Sequence, residues 1–468
     1  MADKQDLVIL GSGSTAFAAA LRAQSHGARV LMIEKSVLGG TCVNWGCIPS
    51  KTLIHAAQFY QDGRLGARVG LGLREEGVDF ARLTDHKELV VGHLRQTRYL
   101  DVLKNVPGLT LLRGTGRFLD PRTLEVGDQQ VRGEKFLIAT GGYPRIPAIP
   151  GLTDGGFLTS RTALLLRELP RSLVIIGGGV IALEMGQMYR RLGTRVTVLE
   201  HGYRVLPTVD SDVALAVQEA LRCEGMDIVL DVTVCGVTRR NGATIVQCEQ
   251  GGGPVEFVAE RLLVAVGTAP ATADIGLDRA GVEIDPKGFV RVDERLRTSA
   301  SGIWAAGDAI GGMMIATAGA REGIVAVDDM FTPGCGCTMD HLVTPMAIFT
   351  DPEVGLVGHT ETTAREAGYE VVSNILPVSA IPKAHVTGQT AGVIKLVADA
   401  ATGRILGAHL ACHRGADIIN EAALAVQFRL TVANLANSLH VYPTMGEGLR
   451  LCAQGFDRDV SMLSCCAE

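Results

Sequence analysis

Short apolar runs along the chain alternate with Gly-rich turns and with segments of helical period. The run "LVIL" at residues 7–10 enters "GSGSTA", small residues then recur along "STAFAAALRAQS", and a second run, "VLMI", ends at Glu34. This order predicts strand, tight turn, helix and strand. It returns in "SLVIIGGGVIALEMGQMYRRLGTRVTVLE", with Gly177, Gly179 and Ala182 in and after the turn and Glu200 at the second strand tip. Between the two units, "FLIATGGYPRIPAIPG" is an apolar strand that runs into Gly and Pro, the exit from the first unit. "LLVAVGTAP" closes the second unit in the same way, and "GIWAAGDAIG" predicts a short strand that delivers Gly307 and Asp308.

Each unit has the physical requirements of a dinucleotide site. Gly11 permits the turn, Gly13 lets backbone approach a pyrophosphate at the helix N-terminus, Ala16 keeps helix and strand close, and Glu34, followed by Lys35, can accept from a ribose diol. Two such units imply two dinucleotides, which suits FAD reduced by a nicotinamide. Asp308 is placed to hold the sugar alcohol of a flavin. Gly40, Thr41, Thr140, Gly141 and Gly267 are further candidates for cofactor contact. Glu200 would bond the 2′-hydroxyl of NADH and repel the extra phosphate of NADPH, although Arg204, four residues on, could offset that repulsion. The expected fold class is α/β, with two Rossmann-like dinucleotide-binding domains.

Composition narrows the reading. The chain has 468 residues, 47% of them hydrophobic and 20% charged, enough for several packed units. A formal net charge of -6 argues against nucleic acid as a partner. No membrane partner is expected, because no apolar run is long enough to span a bilayer. With no signal-like N-terminus the expected location is cytoplasmic. In such a chain the eleven cysteines read as redox or soft-metal groups and small core residues rather than a disulfide framework.

The most specific stretch is "GGTCVNWGCIPSK", in which Cys42 and Cys47 are separated by four residues and Pro49 and Lys51 follow. A thiol at a helix N-terminus near a Lys has a stabilised thiolate, the state needed for attack and for metal ligation. With the two nucleotide units around it, the chain resembles the pyridine nucleotide disulfide oxidoreductases, the family of glutathione reductase and dihydrolipoyl dehydrogenase, over essentially its full length. The resemblance implies an FAD-binding domain at 1–150, an NAD(P)-binding domain at 151–271, a central segment at 272–338 that completes the FAD domain, and an α+β interface domain at 339–468 of a homodimer whose subunits share the active site. It implies that Cys47 is the flavin-proximal thiol, that Cys42 is the interchange thiol, and that Lys51 and Glu184 pair near the flavin.

"LHVYPTMGEG" departs from the disulfide-reducing members. Where they have a His base followed by a Glu, this chain has Tyr442 and Glu447. A phenol with an ordinary pKa of about 10 is a poor base at neutral pH. His440 does not have the expected spacing to Glu447. A soft metal ion needs no such base and passes between thiols by ligand exchange. The terminal "LSCCAE" supplies a second pair, Cys465 and Cys466. These features are similar to the mercury(II)-reducing branch of the family. That similarity implies Hg(II) as substrate, delivered as a thiol complex, with Cys42, Cys47, Cys465 and Cys466 as its ligands and Tyr189 and Tyr442 beside the inner metal position. A disulfide reductase is the alternative. Cys335 and Cys337, in "PGCGCTMD", read as incidental thiols on a surface loop rather than an additional soft-metal trap.

Overall fold

The computed structural model describes residues 5–73 and 76–460. Its first sheet has a parallel core in the order Leu109–Arg113, Val30–Glu34, Gln5–Leu10, Gln129–Ile138, with Ile303–Ala305 parallel on the far side of the last strand. The sequence therefore leaves this sheet at Ile138 and returns to it at Ile303. The strands are short continuous apolar runs because both faces of the sheet are covered, one by the helices Ser14–Ser25 and Ala316–Phe331, the other by Phe118, Leu124, Ile275 and Val290. Ser14–Ser25 packs against Ala316–Phe331, and Gly323 shows why small residues recur there: a Cβ on it would lie 2.6 Å from the Thr15 carbonyl oxygen.

The second unit is a four-stranded parallel sheet, Asp227–Val229, Arg195–Leu199, Ser172–Ile176, Arg261–Val264, with an antiparallel meander of Val232–Arg240, Ala243–Gln250 and Gly253–Ala259 beside it. The C-terminal unit is an antiparallel sheet in the order Met346–Ile348, Glu353–Gly358, Ile405–Cys412, Val393–Asp399, Val371–Pro377, packed against Gly415–Gln427 and Glu447–Gln454. The class is α/β with a C-terminal α+β unit, as the sequence predicts. No helix among the described residues is long and apolar enough to cross a membrane.

Buried ion pairs fasten the C-terminal unit to the second one. Lys395, almost wholly buried in the sheet, donates to Asp210 at 3.0 Å and Asp212 at 2.6 Å and pairs with Glu361 at 2.9 Å. Its charge is retained because three carboxylates face it. Arg191 reaches Asp351 at 2.7 Å, and Gln187 exchanges two hydrogen bonds with the Asp351 backbone at 2.8 and 2.9 Å. Both Arg191 and Gln187 stand on Val180–Arg191, the helix that carries Glu184. The C-terminal unit is thereby held against the helix that approaches the thiols.

Candidate active site

The two thiols belong to consecutive helices. Gly40–Trp45 carries Cys42, Gly46 breaks the helix, and Cys47 opens the 22-residue helix Cys47–Arg68. The first helix is tied to the nucleotide turn: the Gly39 amide donates to the Ser12 carbonyl at 3.0 Å, and a Cβ on Gly40 would lie 2.6 Å from the Gly13 Cα. Gly40 also has a φ of +66°, so both its shape and its conformation require glycine. Asn44 caps the arrangement by donating to the carbonyls of Leu38 and Gly40 at 3.0 and 2.8 Å. The phosphate turn and the cysteine pair are one rigid construction.

Both cysteines are half-buried free thiols. A hydrogen bond from Cys42 lowers the Cys47 pKa to about 7 against the opposing effect of burial, with Lys51 contributing further. The same bond, with burial, pushes Cys42 far up. The pair thus shares one proton, kept on Cys42, and Cys47 is the thiolate. Tyr99 lies near both sulfurs; burial first, and then their charges, raise its hydroxyl to about 12.

Lys51, one turn after Cys47, donates to Glu184 at 2.7 Å across the boundary between the first two units. Glu184 is 4% exposed, and its other oxygen accepts the Phe349 amide at 2.9 Å. The Phe349 ring lies under the ammonium at 4.7 Å. One residue from each of the three units therefore meets beside Cys47. Sequence reasoning missed Phe349, Tyr99 and also Arg161, whose guanidinium stacks over Trp45 at 4.9 Å and donates to the Gly142 carbonyl at 3.0 Å. Trp45 was the available signal: a tryptophan between two reactive thiols needs a partner for its face.

The first nucleotide turn fits FAD. A Cβ on Gly11 would lie 2.2 Å from the Ala139 carbonyl oxygen, so strand and turn close around bare backbone. Gly13 precedes the helix Ser14–Ser25 as its N-cap, and Ala16 is fully buried beneath it. Glu34 accepts from the Ser12 hydroxyl and the Ser36 amide, each at 2.6 Å, while Lys35 next to it and Thr41 are exposed. The Thr140 hydroxyl is buried without a partner, and Gly141 beside it has a φ of +72°. Gly307 donates its amide to Glu322 at 2.7 Å, and burial raises the carboxyl of Asp308. An unsatisfied buried hydroxyl and a desolvated carboxyl are the groups that a polar ligand would satisfy.

The second turn fits a nicotinamide dinucleotide in the same way. Gly177 closes on the Ala265 carbonyl, Gly179 caps the helix that follows, and Gly267 has a φ of +108°. Glu200 accepts from the Gly178 amide at 2.5 Å and the Gly202 amide at 2.7 Å. Arg204, expected as a possible counter-charge for a phosphate, donates instead to the carbonyls of Leu206 and Pro207 at 2.8 and 3.0 Å.

The remaining expected residues divide. Tyr189 requires a correction: it is 0% exposed, packs with Phe80 in the core, and its hydroxyl donates to the Ala163 carbonyl at 2.7 Å. Burial raises its pKa, so the phenol is held neutral as a packing residue rather than a metal ligand. Tyr442 is exposed on the loop before Glu447–Gln454. Glu447 is buried at the start of that helix, one of its oxygens has no hydrogen-bond partner, and burial raises its carboxyl. His440 is bound through Nε2 to Glu421 at 2.9 Å, which raises its pKa. Cys465 and Cys466 lie outside the described residues. Among the described residues, no group of three or more His, Cys, Asp or Glu is arranged to hold a metal ion.

Comparison with known proteins agrees with this geometry. Residues 5–323 match the family Pyridine nucleotide-disulphide oxidoreductase, and residues 344–453 match its dimerisation domain. The mercuric reductase of Staphylococcus aureus is 40% identical over 463 residues, covering 99% of this chain and 84% of that protein. The mercuric reductase of Streptomyces lividans is 38% identical, covering 99% and 98%. Among solved structures, the Cu(II) complex of the HOCl-induced flavoprotein disulfide reductase RclA from Escherichia coli superposes with a TM-score of 0.86 at 33% identity, covering 97% of this chain and 99% of that one.

Proposed function

Because the chain belongs to the pyridine nucleotide-disulphide oxidoreductases, we propose that it is a mercury(II) reductase, which converts Hg(II) to Hg(0) with electrons from NAD(P)H. The observation that carries this reading is a cysteine pair with one thiolate and, at the family's base position, a tyrosine in place of histidine. Cys47 is a thiolate near neutral pH, Tyr442 stands where a disulfide reductase keeps its base, and His440, two residues before it, is held by Glu421. When bound, FAD and a nicotinamide dinucleotide supply the two electrons that Hg(II) accepts.

The residues of the chain bind and position. Hg(II) arrives as a thiol complex and is taken by Cys465 and Cys466 of the partner subunit in a homodimer. The carrier thiols leave at that step; exchange to Cys42 and Cys47 then breaks one bond to Cys465 or Cys466 of the partner subunit for each new Hg–S bond formed, and the released thiol takes up the proton that Cys42 gives up. Cys47 attacks first because it is already deprotonated; Cys42 follows as it gives up the shared proton. Lys51 holds positive charge beside the thiolate, and Glu184 fixes Lys51. Tyr442 lines the approach without competing for the proton.

The test is NAD(P)H oxidation by the flavin-loaded protein in excess small thiol, with Hg(II), oxidised glutathione and lipoamide compared as substrates. Oxidation that depends on Hg(II) and releases elemental mercury is expected. A disulfide reductase is the second reading, favoured by the structural likeness to the flavoprotein disulfide reductase RclA. Faster oxidation with a disulfide and no mercury vapour would establish it instead.

Glu200 also supports a reductant preference. With its carboxylate fixed by two amides and Arg204 engaged on backbone carbonyls, NADH is used at least as well as NADPH. Replacing Glu200 by Ala removes the repulsion of a 2′-phosphate and should raise the NADPH to NADH ratio of kcat/KM by about 10-fold, equivalent to about 1.4 kcal/mol. A ratio that does not move would show that specificity lies elsewhere.

A further inference from the structure

The loop after Ala316–Phe331 carries two thiols that the reaction does not use. Cys335 and Cys337 flank Gly336 in a turn whose near end is fixed by the Cys335 amide on the Thr332 carbonyl at 3.1 Å. Its far end is fixed by the Met339 amide on the Glu294 carbonyl at 3.0 Å. Gly334 and Gly336 both have left-handed φ, +79° and +65°, and open space at the missing Cβ. The turn folds the Cys335 sulfur back onto Cys337. The Cys337 amide donates to the Cys335 sulfur at 3.2 Å, and the Cys337 thiol lies 3.8 Å from the Cys335 carbonyl. Both cysteines are half-buried and free, on a surface loop. Arg22 and Arg297 nearby are paired with Asp328 and Asp329.

We propose that Cys335 and Cys337 form a second soft-metal site that chelates one Hg(II) through both sulfurs, apart from the Cys42 and Cys47 pair. The Cys335 sulfur is folded onto Cys337 across a single glycine and already accepts an amide hydrogen bond there. A soft cation with two thiolate ligands needs nothing more from the protein. Once one Hg–S bond forms, the second is intramolecular, so the pair retains the metal against free monothiols that bind one at a time. Each Hg–S bond made here breaks one to a carrier thiol, and that thiol leaves with the proton of the cysteine. The site goes beyond the proposed reaction, resting on it only for the choice of ion.

The experiment is binding without turnover. Full-length, flavin-loaded protein, reduced and freed of reductant, is equilibrated with Hg(II) in excess cysteine and no nicotinamide, and mercury per subunit is counted after gel filtration. The Cys335→Ser, Cys337→Ser double variant should retain one equivalent less, and each single variant should lose the same equivalent. Cys223→Ser with Cys235→Ser, which removes two exposed thiols not brought together by a turn, should retain the full count. An unchanged count in the double variant, a single variant that still holds the metal, or an equal loss in the control overturns the proposal. Flavin absorbance reports folding of each variant, and the single variants decide the question if the double one does not fold. Because no reductant is present, the count is independent of whether Hg(II) is a substrate, so failure of the site and failure of the proposed reaction are read separately.

Discussion

Replacing Cys47 by Ser should lower Hg(II)-dependent NAD(P)H oxidation by roughly 10³-fold or more, the scale at which loss of an essential nucleophile is felt. Three properties disappear together. Serine is a hard oxygen that a soft cation does not select, it cannot form a disulfide with Cys42, and its hydroxyl is not ionised near neutral pH. In the wild-type protein Cys47 stands first in a long helix, accepts from Cys42, and has Lys51 one turn away, which together bring it to about 7. Electron transfer from NAD(P)H to a small acceptor such as ferricyanide should persist, because the contacts that tie the cysteine segment to the nucleotide turn run through Gly39 and Gly40 and are left in place. A variant that keeps mercury turnover while the acceptor assay is unchanged would remove Cys47 from the reaction. Loss of both activities would point to a damaged flavin site and would be visible as loss of bound flavin.

How much of this was legible in the sequence depends on whether a feature is local. The two nucleotide units could be read because a strand, a turn and a helix are each determined by a few neighbouring residues, and Gly11, Gly13, Gly177 and Gly179 punctuate them. Cys42, Cys47 and Lys51 were legible for the same reason, being within one turn and two helix starts. Glu184 was reached only through the family resemblance, since 133 residues separate it from Lys51. Phe349 was not legible at all: its backbone amide, not its side chain, binds Glu184, and any residue would supply that group. Tyr189 misled because a tyrosine near a reactive site invites a chemical role. Its real determinant is the Ala163 carbonyl, which no sequence pattern brings near it. The Cys335 and Cys337 pair read as incidental because Cys-x-Cys spacing does not say how the turn folds, and the amide-to-sulfur contact shows the Cys335 sulfur folded back onto Cys337.

The Lys51→Met variant tests how stability and reactivity are joined at this site. In the wild type the buried Glu184 carboxylate is satisfied by Lys51 on one oxygen and the Phe349 amide on the other. Methionine keeps the length of the side chain and most of its packing against the Phe349 ring but leaves the carboxylate without a counter-charge. Breaking a buried pair from one side costs about 3–5 kcal/mol, and the lower end applies here because Lys51 is about one-third exposed. The first thermal unfolding transition should fall by several degrees, whereas Glu184→Gln, which keeps one acceptor oxygen, removes the buried charge and leaves the partly exposed Lys51 able to reach water, should cost less. The sign of the pH dependence follows from Cys47. Its pKa is lower in the folded protein than in a free chain, so it contributes stability that is full above the unfolded value and is lost as pH falls through about 7. Part of that lowering comes from Lys51. The stability gap between wild type and Lys51→Met should therefore widen from mildly acidic to alkaline pH. In the reduced enzyme the midpoint for alkylation of Cys47 by iodoacetamide should move upward from about 7 in the same variant. An unmoved midpoint combined with a large loss of stability would mean that Lys51 serves only to neutralise Glu184. A moved midpoint would mean that the ion pair holding the three units together also sets the charge of the thiolate that meets the metal.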